Sequence, residues 1–134
     1  MQTQESPIRV LCVEDDALVA LDVGSAIENE PDMTNVGWLS RADLIVEEVA
    51  EKQPDVLLLD LSMPGPDPLD TLPRLTESAP DLRTVIFTGH ADQALVFRAL
   101  EAGAWGYVIK SGNIAEIIDA IRRVSRGEFV LPVV

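Results

Sequence analysis

The feature of this sequence that most limits its fold is an apolar run ending in one acid, Leu57-Leu58-Leu59-Asp60, with the turn-forming Ser62-Met63-Pro64-Gly65 just beyond it. A strand with no polar positions is typical of a parallel sheet that is covered on both faces. Open sheets of this kind bind their ligands outside the carboxyl ends of the strands. The run therefore predicts that Asp60 lies at the chemically active edge of an α/β protein.

Further apolar runs of strand length alternate with helical patterns along the chain. We predict strands at Ile8–Val13, Met33–Trp38, Val56–Leu61, Leu82–Thr88 and Tyr107–Ile109. The spacing of apolar residues predicts helices from Leu18 to about Asn29, over Arg41–Lys52, from Asp67-Pro68 onward, over Asp92–Ala102 and over Ile114–Arg126. Pro73 should limit or distort the third helix. Five such repeats predict the α/β class, with helices on both faces of a five-stranded parallel sheet.

The composition excludes several functional classes. A chain of 134 residues suits one domain, and its net charge of −13 makes it a poor nucleic-acid binder by itself but a good partner for a cation or a basic surface. Cys12 is the only cysteine, which favours a reduced, cytoplasmic compartment. Because Met1–Ser6 is polar and no apolar run reaches the roughly 20 residues of a membrane helix, we expect no secretory signal and no membrane association.

Polar residues follow four of the five predicted strands. Glu14-Asp15-Asp16 follows the first strand, Asp60 ends the third, Thr88 ends the fourth and Lys110 ends the fifth. The second strand ends in Trp38-Leu39-Ser40, which offers nothing comparable. Because the carboxyl ends of parallel strands share one edge of the sheet, we expect the acids, the threonine and the lysine to meet there.

The acids in this set favour a metal site. Glu14, Asp15 and Asp60 would repel one another unless a cation intervened, and oxygen-only ligand sets suit Mg²⁺. Asp16 directly precedes the first helix and is the expected N-cap. Taken alone, the acidic triplet would more often be a solvated loop. Its predicted position beside Asp60 is what favours metal binding.

The residues that end the third, fourth and fifth predicted strands suit phosphoryl transfer. Asp60 can act as a phosphoryl acceptor, since aspartyl phosphate is an established covalent intermediate. Lys110 would supply a cation and Thr88 a hydroxyl donor to the phosphoryl group. Either residue alone would more often be a surface lysine or an ordinary strand end, so the whole set carries the inference.

Four segments together resemble the receiver domain of two-component response regulators. They are Val10–Asp16, Leu58–Gly65, Val85–Gly89 and Gly103–Lys110, and the resemblance covers essentially the whole chain. It implies a CheY-like, three-layer, doubly wound (βα)5 flavodoxin-like fold. It also implies a signalling domain that is not an enzyme, except that it catalyses its own phosphorylation and dephosphorylation. The implied phosphodonor is a sensor histidine kinase or a phosphotransfer protein.

The resemblance also assigns roles to individual residues at the acidic site. Asp60 resembles the phosphoacceptor. Asp15 resembles the direct Mg²⁺ ligand, and Glu14 resembles the acid that acts largely through water. The backbone carbonyl of Ser62 matches the group that completes the metal site.

Further positions match the residues that read the modified state. Thr88 and Lys110 resemble the two phosphoryl-sensing residues, and Tyr107 resembles the aromatic switch that turns inward when the threonine moves. Ser111 stands where the family usually has proline after the lysine, which leaves the peptide geometry at Lys110-Ser111 open. His90 and Ser62 occupy positions resembling those that tune phosphoryl lifetime.

The final stretch, Ile121–Pro132, resembles the receiver-to-linker junction of LuxR/NarL-type transcriptional regulators. We therefore assign residues 1–127 to the receiver and 128–134 to the start of a linker toward a C-terminal effector domain that this sequence does not contain. The resemblance implies control of transcription, homodimer formation on phosphorylation, and DNA contact only through the effector domain. A stand-alone receiver that acts by protein–protein interaction is the alternative.

Three other classes share parts of this pattern. Haloacid-dehalogenase-like phosphatases carry the motif Asp-x-Asp, in which the second Asp is the acid/base. In this chain Ser62 stands at that second position. A flavodoxin-like FMN binder needs a neutral phosphate loop after the first strand, where Glu14-Asp15-Asp16 would repel phosphate. A degenerate receiver would lack an acid, the aspartate or the lysine, and this chain has all of them.

Overall fold

The computed structural model describes residues 6–89, 91–110 and 113–132, so His90 and Ser111 lie outside the described residues. The strands are β1 (Ile8–Val13), β2 (Met33–Leu39), β3 (Val56–Leu59), β4 (Arg83–Thr88) and β5 (Gly106–Ile109). The helices are α1 (Ala17–Glu28), α2 (Ile45–Lys52), α3 (Leu72–Ser78), α4 (Gln93–Ala102) and α5 (Ile114–Ser125). The predicted alternation is confirmed. Within the described ranges, no helix has the length and apolar character needed to cross a bilayer.

The sheet is parallel throughout, and its strands lie in the order β2-β1-β3-β4-β5. β3 is central, and all four of its residues are 0% exposed. Leu58 packs with α1 and α5 on one face, whereas Leu57 and Leu59 pack with α2, α3 and α4 on the other. This is the predicted doubly wound, three-layer fold, and both faces of the β3 run are buried as its apolar sequence requires.

Strand β2 contains a bulge that changes which way its last residues point. The pairing with β1 runs Val10 to Asn35 and then Leu11 to Gly37, so one residue of β2 is extra. The side chain of Asn35 accepts a hydrogen bond from the N–H of Gly37 at 3.2 Å across the bulge. Trp38 consequently lies opposite Cys12. Since neighbouring strands present paired residues on the same face, the bulge turns Trp38 toward α1.

Two helices begin differently from the prediction. Helix α2 begins at Ile45, not at Arg41, because the chain first makes a turn in which the N–H of Ile45 donates to the carbonyl of Ala42 at 3.3 Å. The third helical segment is divided into a 3-10 turn over Pro68–Thr71 and the α-helix α3. Pro73 lies in the first turn of α3, where its missing N–H is tolerated, so the distortion of the helix by this proline stays a prediction.

The C-terminal tail, residues 128–132, lies against the amino end of β5. Val130 forms a parallel bridge with Gly106: its carbonyl accepts from the N–H of Tyr107 at 2.8 Å, and its own N–H donates to Trp105 at 3.1 Å. The ring of Phe129 stacks on Trp105 with centroids 4.4 Å apart. The tail is therefore attached to β5 by both main-chain and side-chain contacts.

Candidate functional site

Asp60 is held at the end of the central strand by two main-chain contacts. Its N–H donates to the carbonyl of Val13 at 3.0 Å, which continues the pairing with β1 for one residue. Its Oδ1 accepts from the N–H of Ser62 at 3.0 Å, which turns the chain so that β3 ends at Leu59, two residues earlier than predicted. The side chain is 1% exposed, so the carboxylate is both buried and fixed in direction.

The acids that follow β1 divide into two roles. Glu14 is 1% exposed, and Asp15 is exposed. One carboxylate oxygen from each of Glu14, Asp15 and Asp60 lies within 4.8 Å of the others. Asp16 instead caps α1, since its Oδ1 accepts from the N–H groups of Leu18 and Val19. The structure therefore brings the three acids among the predicted metal ligands together and confirms Asp16 as the N-cap.

Lys110 reaches this cluster from the end of β5. Its N–H donates to the carbonyl of Thr88 at 2.7 Å, which fixes the main chain beside β4. Its Nζ lies 2.6 Å from Oε1 of Glu14 and 3.2 Å from Oδ2 of Asp60. The ammonium also lies 5.0 Å from the ring centroid of Phe87, which gives it a weak cation–π contact.

The electrostatics of the cluster favour an additional cation. Burial raises the pKa of Glu14 to about 7, although the neighbouring Lys110 acts to lower it. Burial acts to lower the pKa of Lys110, but Glu14 and Asp60 outweigh it, and the pKa is raised. The described cluster thus contains three neighbouring carboxyl groups, two of which lie beside one ammonium. Oxygen donors with an excess of negative charge are the set that Mg²⁺ prefers, so the residues fit this metal.

Thr88 lies beside the cluster with an unused hydroxyl group. It ends β4 and is 0% exposed, and its Oγ1 has no hydrogen-bond partner among the residues that the structure describes. A buried hydroxyl without a partner is unfavourable by about 1–3 kcal/mol. Such a group in a native fold calls for an explanation, and an incoming acceptor at this site would provide one.

Tyr107 is the predicted switch residue on β5, and its ring is buried at 2% exposure. It pairs in register with Ile86 and packs in the core layer that contains Val96 and Ala99 of α4. Burial, and to a smaller extent Asp92, raises the pKa of its phenol. The ring therefore lies between the sheet and α4, and β4 separates it from β3.

Trp38 is a residue that the sequence analysis did not assign to the site. Its Nε1–H donates to the main-chain carbonyl of Glu14 at 2.6 Å. The bulge in β2 is what brings it there. Gly37 within a strand pattern is the sequence signal that could have indicated a bulge.

Comparison with known sequences identifies the family. The model of the response regulator receiver domain matches residues 10–122. The chain is 35% identical over 121 residues to the transcriptional regulatory protein LiaR of Bacillus subtilis, covering 90% of this chain and 57% of LiaR. It is 34% identical over 131 residues to the nitrate/nitrite response regulator protein NarL of Escherichia coli, covering 98% of this chain and 60% of NarL. The chain thus spans less than two thirds of either relative.

Comparison with solved structures agrees on the fold. The crystal structure of a two-component response regulator of the LuxR family from Aurantimonas sp. SI85-9A1 matches with a TM-score of 0.87 and 31% identity, over 93% of this chain and 89% of that one. The predicted flavodoxin-like receiver fold is therefore confirmed. The chain belongs to the response regulator receiver domain family and is a receiver of the LuxR/NarL type.

Proposed function

We propose that this chain accepts a phosphoryl group on Asp60 in a Mg²⁺-dependent reaction and so acts as the switch of a two-component pathway. The observation that carries the proposal is the position of the Asp60 carboxylate. One of its oxygens is bound by the N–H of Ser62, and the other lies 3.2 Å from the ammonium of Lys110. A carboxylate that is buried, directed and next to a cation is prepared for transfer by positioning and charge neutralisation.

The donor in the proposed reaction is a phosphohistidine on a sensor kinase or phosphotransfer protein. An oxygen of Asp60 attacks the phosphorus, a P–O bond forms, and the P–N bond breaks. The histidine nitrogen leaves with the bonding electron pair and later takes up a proton. Attack of water on the acyl phosphate would return Asp60 to its free form and release inorganic phosphate.

The charge of the product explains why the site needs Mg²⁺. A phosphoryl group adds close to two negative charges to a cluster that already has three carboxyl groups and one ammonium. Bound Mg²⁺ would neutralise part of the charge that develops on the phosphoryl oxygens. We propose that Asp15 and Asp60 hold it directly, with Glu14 acting largely through water and the carbonyl of Ser62 as a further ligand.

The proposed switch uses the groups that border Asp60. The hydroxyl of Thr88, which has no partner within the part of the chain that the structure describes, would donate to a phosphoryl oxygen, and Lys110 would pair with the same group. Movement of Thr88 would change the space available to the ring of Tyr107 and so alter the surface formed by α4, β5 and α5. The added charge at Asp60 would thereby shift the equilibrium between two packing arrangements of this surface.

The proposed output is transcription. LiaR is by name a transcriptional regulatory protein, and it is longer than this chain. We propose that residues 128–134 begin a linker to a DNA-binding domain, and that the receiver forms a homodimer when phosphorylated. With a net charge of −13, the receiver is not suited to contact DNA by itself. We propose a cytoplasmic location, because a kinase there has access to ATP and because a free cysteine stays reduced there.

Labelling by a small phosphodonor tests this proposal. With acetyl phosphate and Mg²⁺, the intact mass should rise by one phosphoryl group, and Asp60→Asn should prevent the rise. Asp16→Asn is the matched control, because Asp16 lies next to the cluster but caps α1, a role that Asn also fills. Labelling that persists in the Asp60→Asn protein, or that needs no divalent ion, would contradict the proposal.

A further inference from the structure

Both main-chain groups of Glu14, its N–H and its carbonyl, form hydrogen bonds to β2. Its N–H donates to the carbonyl of Leu39 at 2.9 Å, and its carbonyl accepts from the indole N–H of Trp38 at 2.6 Å. The second bond fixes the peptide that joins Glu14 to Asp15. The orientation of that peptide determines where both carboxylates point.

The bulge in β2 is what makes this second bond possible. Without the extra residue, the register from Val10 and Asn35 would continue to place Trp38 opposite Val13. The indole would then project from the other face of the sheet, toward α2 and away from the loop that follows β1. Bulges commonly redirect a side chain next to a functional site. Here the redirected side chain borders Leu21 and Gly24 of α1, directly beside the acidic loop.

We propose that Trp38 is a positioning residue for the Mg²⁺ site, acting through the main chain of Glu14. It does not contact the metal. The indole N–H holds the Glu14–Asp15 peptide in the orientation that lets both carboxylates converge with Asp60. This inference rests on the proposed function of the same acidic cluster. It assigns a functional role to the end of β2, the one strand end to which the sequence pattern assigns none.

A comparison of the two tryptophans provides the main test. Trp38 and Trp105 are the only tryptophans of the chain, and Trp105 lies at the amino end of β5, at the opposite edge of the sheet. Mg²⁺ binding is measured by titration calorimetry on the full chain. Trp38→Phe keeps an aromatic ring but removes the donor, and it should weaken Mg²⁺ binding by about tenfold, as loss of an outer-shell partner does. Trp105→Phe should bind Mg²⁺ with the wild-type affinity.

Two further measurements distinguish positioning from general stability. In the Trp105→Phe protein, excitation selective for tryptophan reports only Trp38, and its emission should change with Mg²⁺ at the midpoint found by calorimetry. In the Trp38→Phe protein the remaining emission should not respond to Mg²⁺. Phosphorylation of Trp38→Phe should need more Mg²⁺ for half its maximal rate but reach the wild-type rate when Mg²⁺ saturates. A lower maximal rate with unchanged Mg²⁺ dependence would overturn the positioning role.

The outcomes separate this inference from the proposed function. Wild-type protein that binds no Mg²⁺ would overturn both. Wild-type affinity in the Trp38→Phe protein would overturn the role of Trp38 and leave the acidic site intact. If Trp38→Phe does not fold, replacement of Trp38 by benzothienylalanine, which has sulfur in place of the indole N–H, gives the same comparison with the ring preserved. Undiminished Mg²⁺ binding in that protein would again overturn the inference.

Discussion

The ammonium of Lys110 lies 2.6 Å from Oε1 of Glu14, a carboxyl group that is almost fully buried. Lys110 thus serves as a counter-ion to the acidic cluster before any phosphoryl group is present. It is also 3.2 Å from Asp60, the proposed acceptor. Phosphorylation would give the same ammonium a more strongly charged partner, so Lys110 is positioned to leave Glu14 for the modified Asp60.

Removal of the ammonium should destabilise the unphosphorylated domain. In Lys110→Met the buried Glu14 loses its cation, and we expect the free energy of unfolding to fall by about 2 kcal/mol at pH 8 without Mg²⁺, less than for a fully buried pair because Lys110 is 26% exposed. Urea unfolding measures the change. Lys52→Met, at the end of α2, is the matched control and should have little effect. Equal stabilities of the two variants would contradict the counter-ion role.

The pH dependence of stability should report Glu14. Its pKa in the folded state is about 7, above the ordinary value of 4.5, so the folded protein holds the proton more tightly than the unfolded chain. The contribution of Glu14 to the free energy of unfolding is therefore fully present below pH 4.5. It is lost as the pH rises to about 7, by up to about 3 kcal/mol in the absence of metal.

Comparison of wild type with Glu14→Gln isolates this contribution. The stability of wild type relative to the variant should decline between pH 4.5 and 7, and Mg²⁺ should offset the decline because it binds only the folded state. Urea unfolding across this range, with and without Mg²⁺, is the measurement. A relative stability that rises with pH would show that the sign is wrong.

The hydroxyl of Thr88 should matter for the switch and not for folding. Thr88→Val keeps the shape and removes a buried group that has no described partner, so stability should be unchanged or rise by up to about 1 kcal/mol. The stabilisation that beryllofluoride and Mg²⁺ give to the wild type, as a mimic of the phosphoryl group, should decrease in this variant. Thr84→Val, four residues earlier on β4 and also buried, should leave the response intact. The same loss in both variants would argue against a specific role for Thr88.

The C-terminal tail should contribute to stability although it follows the proposed domain boundary at residue 127. Phe129 stacks on Trp105, and Arg83 also lies over that ring, 4.1 Å from its centroid. We expect Phe129→Ala to lower the free energy of unfolding by about 1 kcal/mol. A chain that ends at Gly127 should fold but lose more, since it also lacks the hydrogen bonds of Val130. Leu131→Ala is the control, and denaturant unfolding that cannot distinguish it from Phe129→Ala would count against the ring contact.

The sequence predicts most of the fold because the apolar runs are simple to interpret. The bounds of β1 agree with the prediction, and Asp60 lies at the carboxyl end of β3 as expected, although the strand itself is shorter. Residue order along a parallel sheet then suffices to bring Glu14, Asp60 and Lys110 together, since all strand ends share one edge.

The missed features depend on contacts that periodicity does not record. Trp38 cannot be assigned to the site from the sequence, because a strand pattern with period two does not show a single inserted residue. That residue decides which face of the sheet the indole lies on. The late start of α2 follows from the turn closed by the hydrogen bond from the N–H of Ile45 to the carbonyl of Ala42, which the spacing of apolar residues does not indicate. The register of the three acids after β1 follows from counting from the end of the apolar strand, and the capping of α1 by Asp16 agrees with it.

The burial of β3 has a consequence for how the domain moves. Its backbone is enclosed by β1 and β4 at the sides and by helices on both faces, so its amide hydrogens should exchange with solvent only when the whole domain opens. Gly65, a few residues beyond, is exposed. Hydrogen exchange should therefore change from the slowest in the molecule to a much faster rate within this short segment. Asp60 lies at that boundary, attached to the most persistent strand yet adjoining an exposed loop, which is where we propose that the donor protein and the metal ion approach.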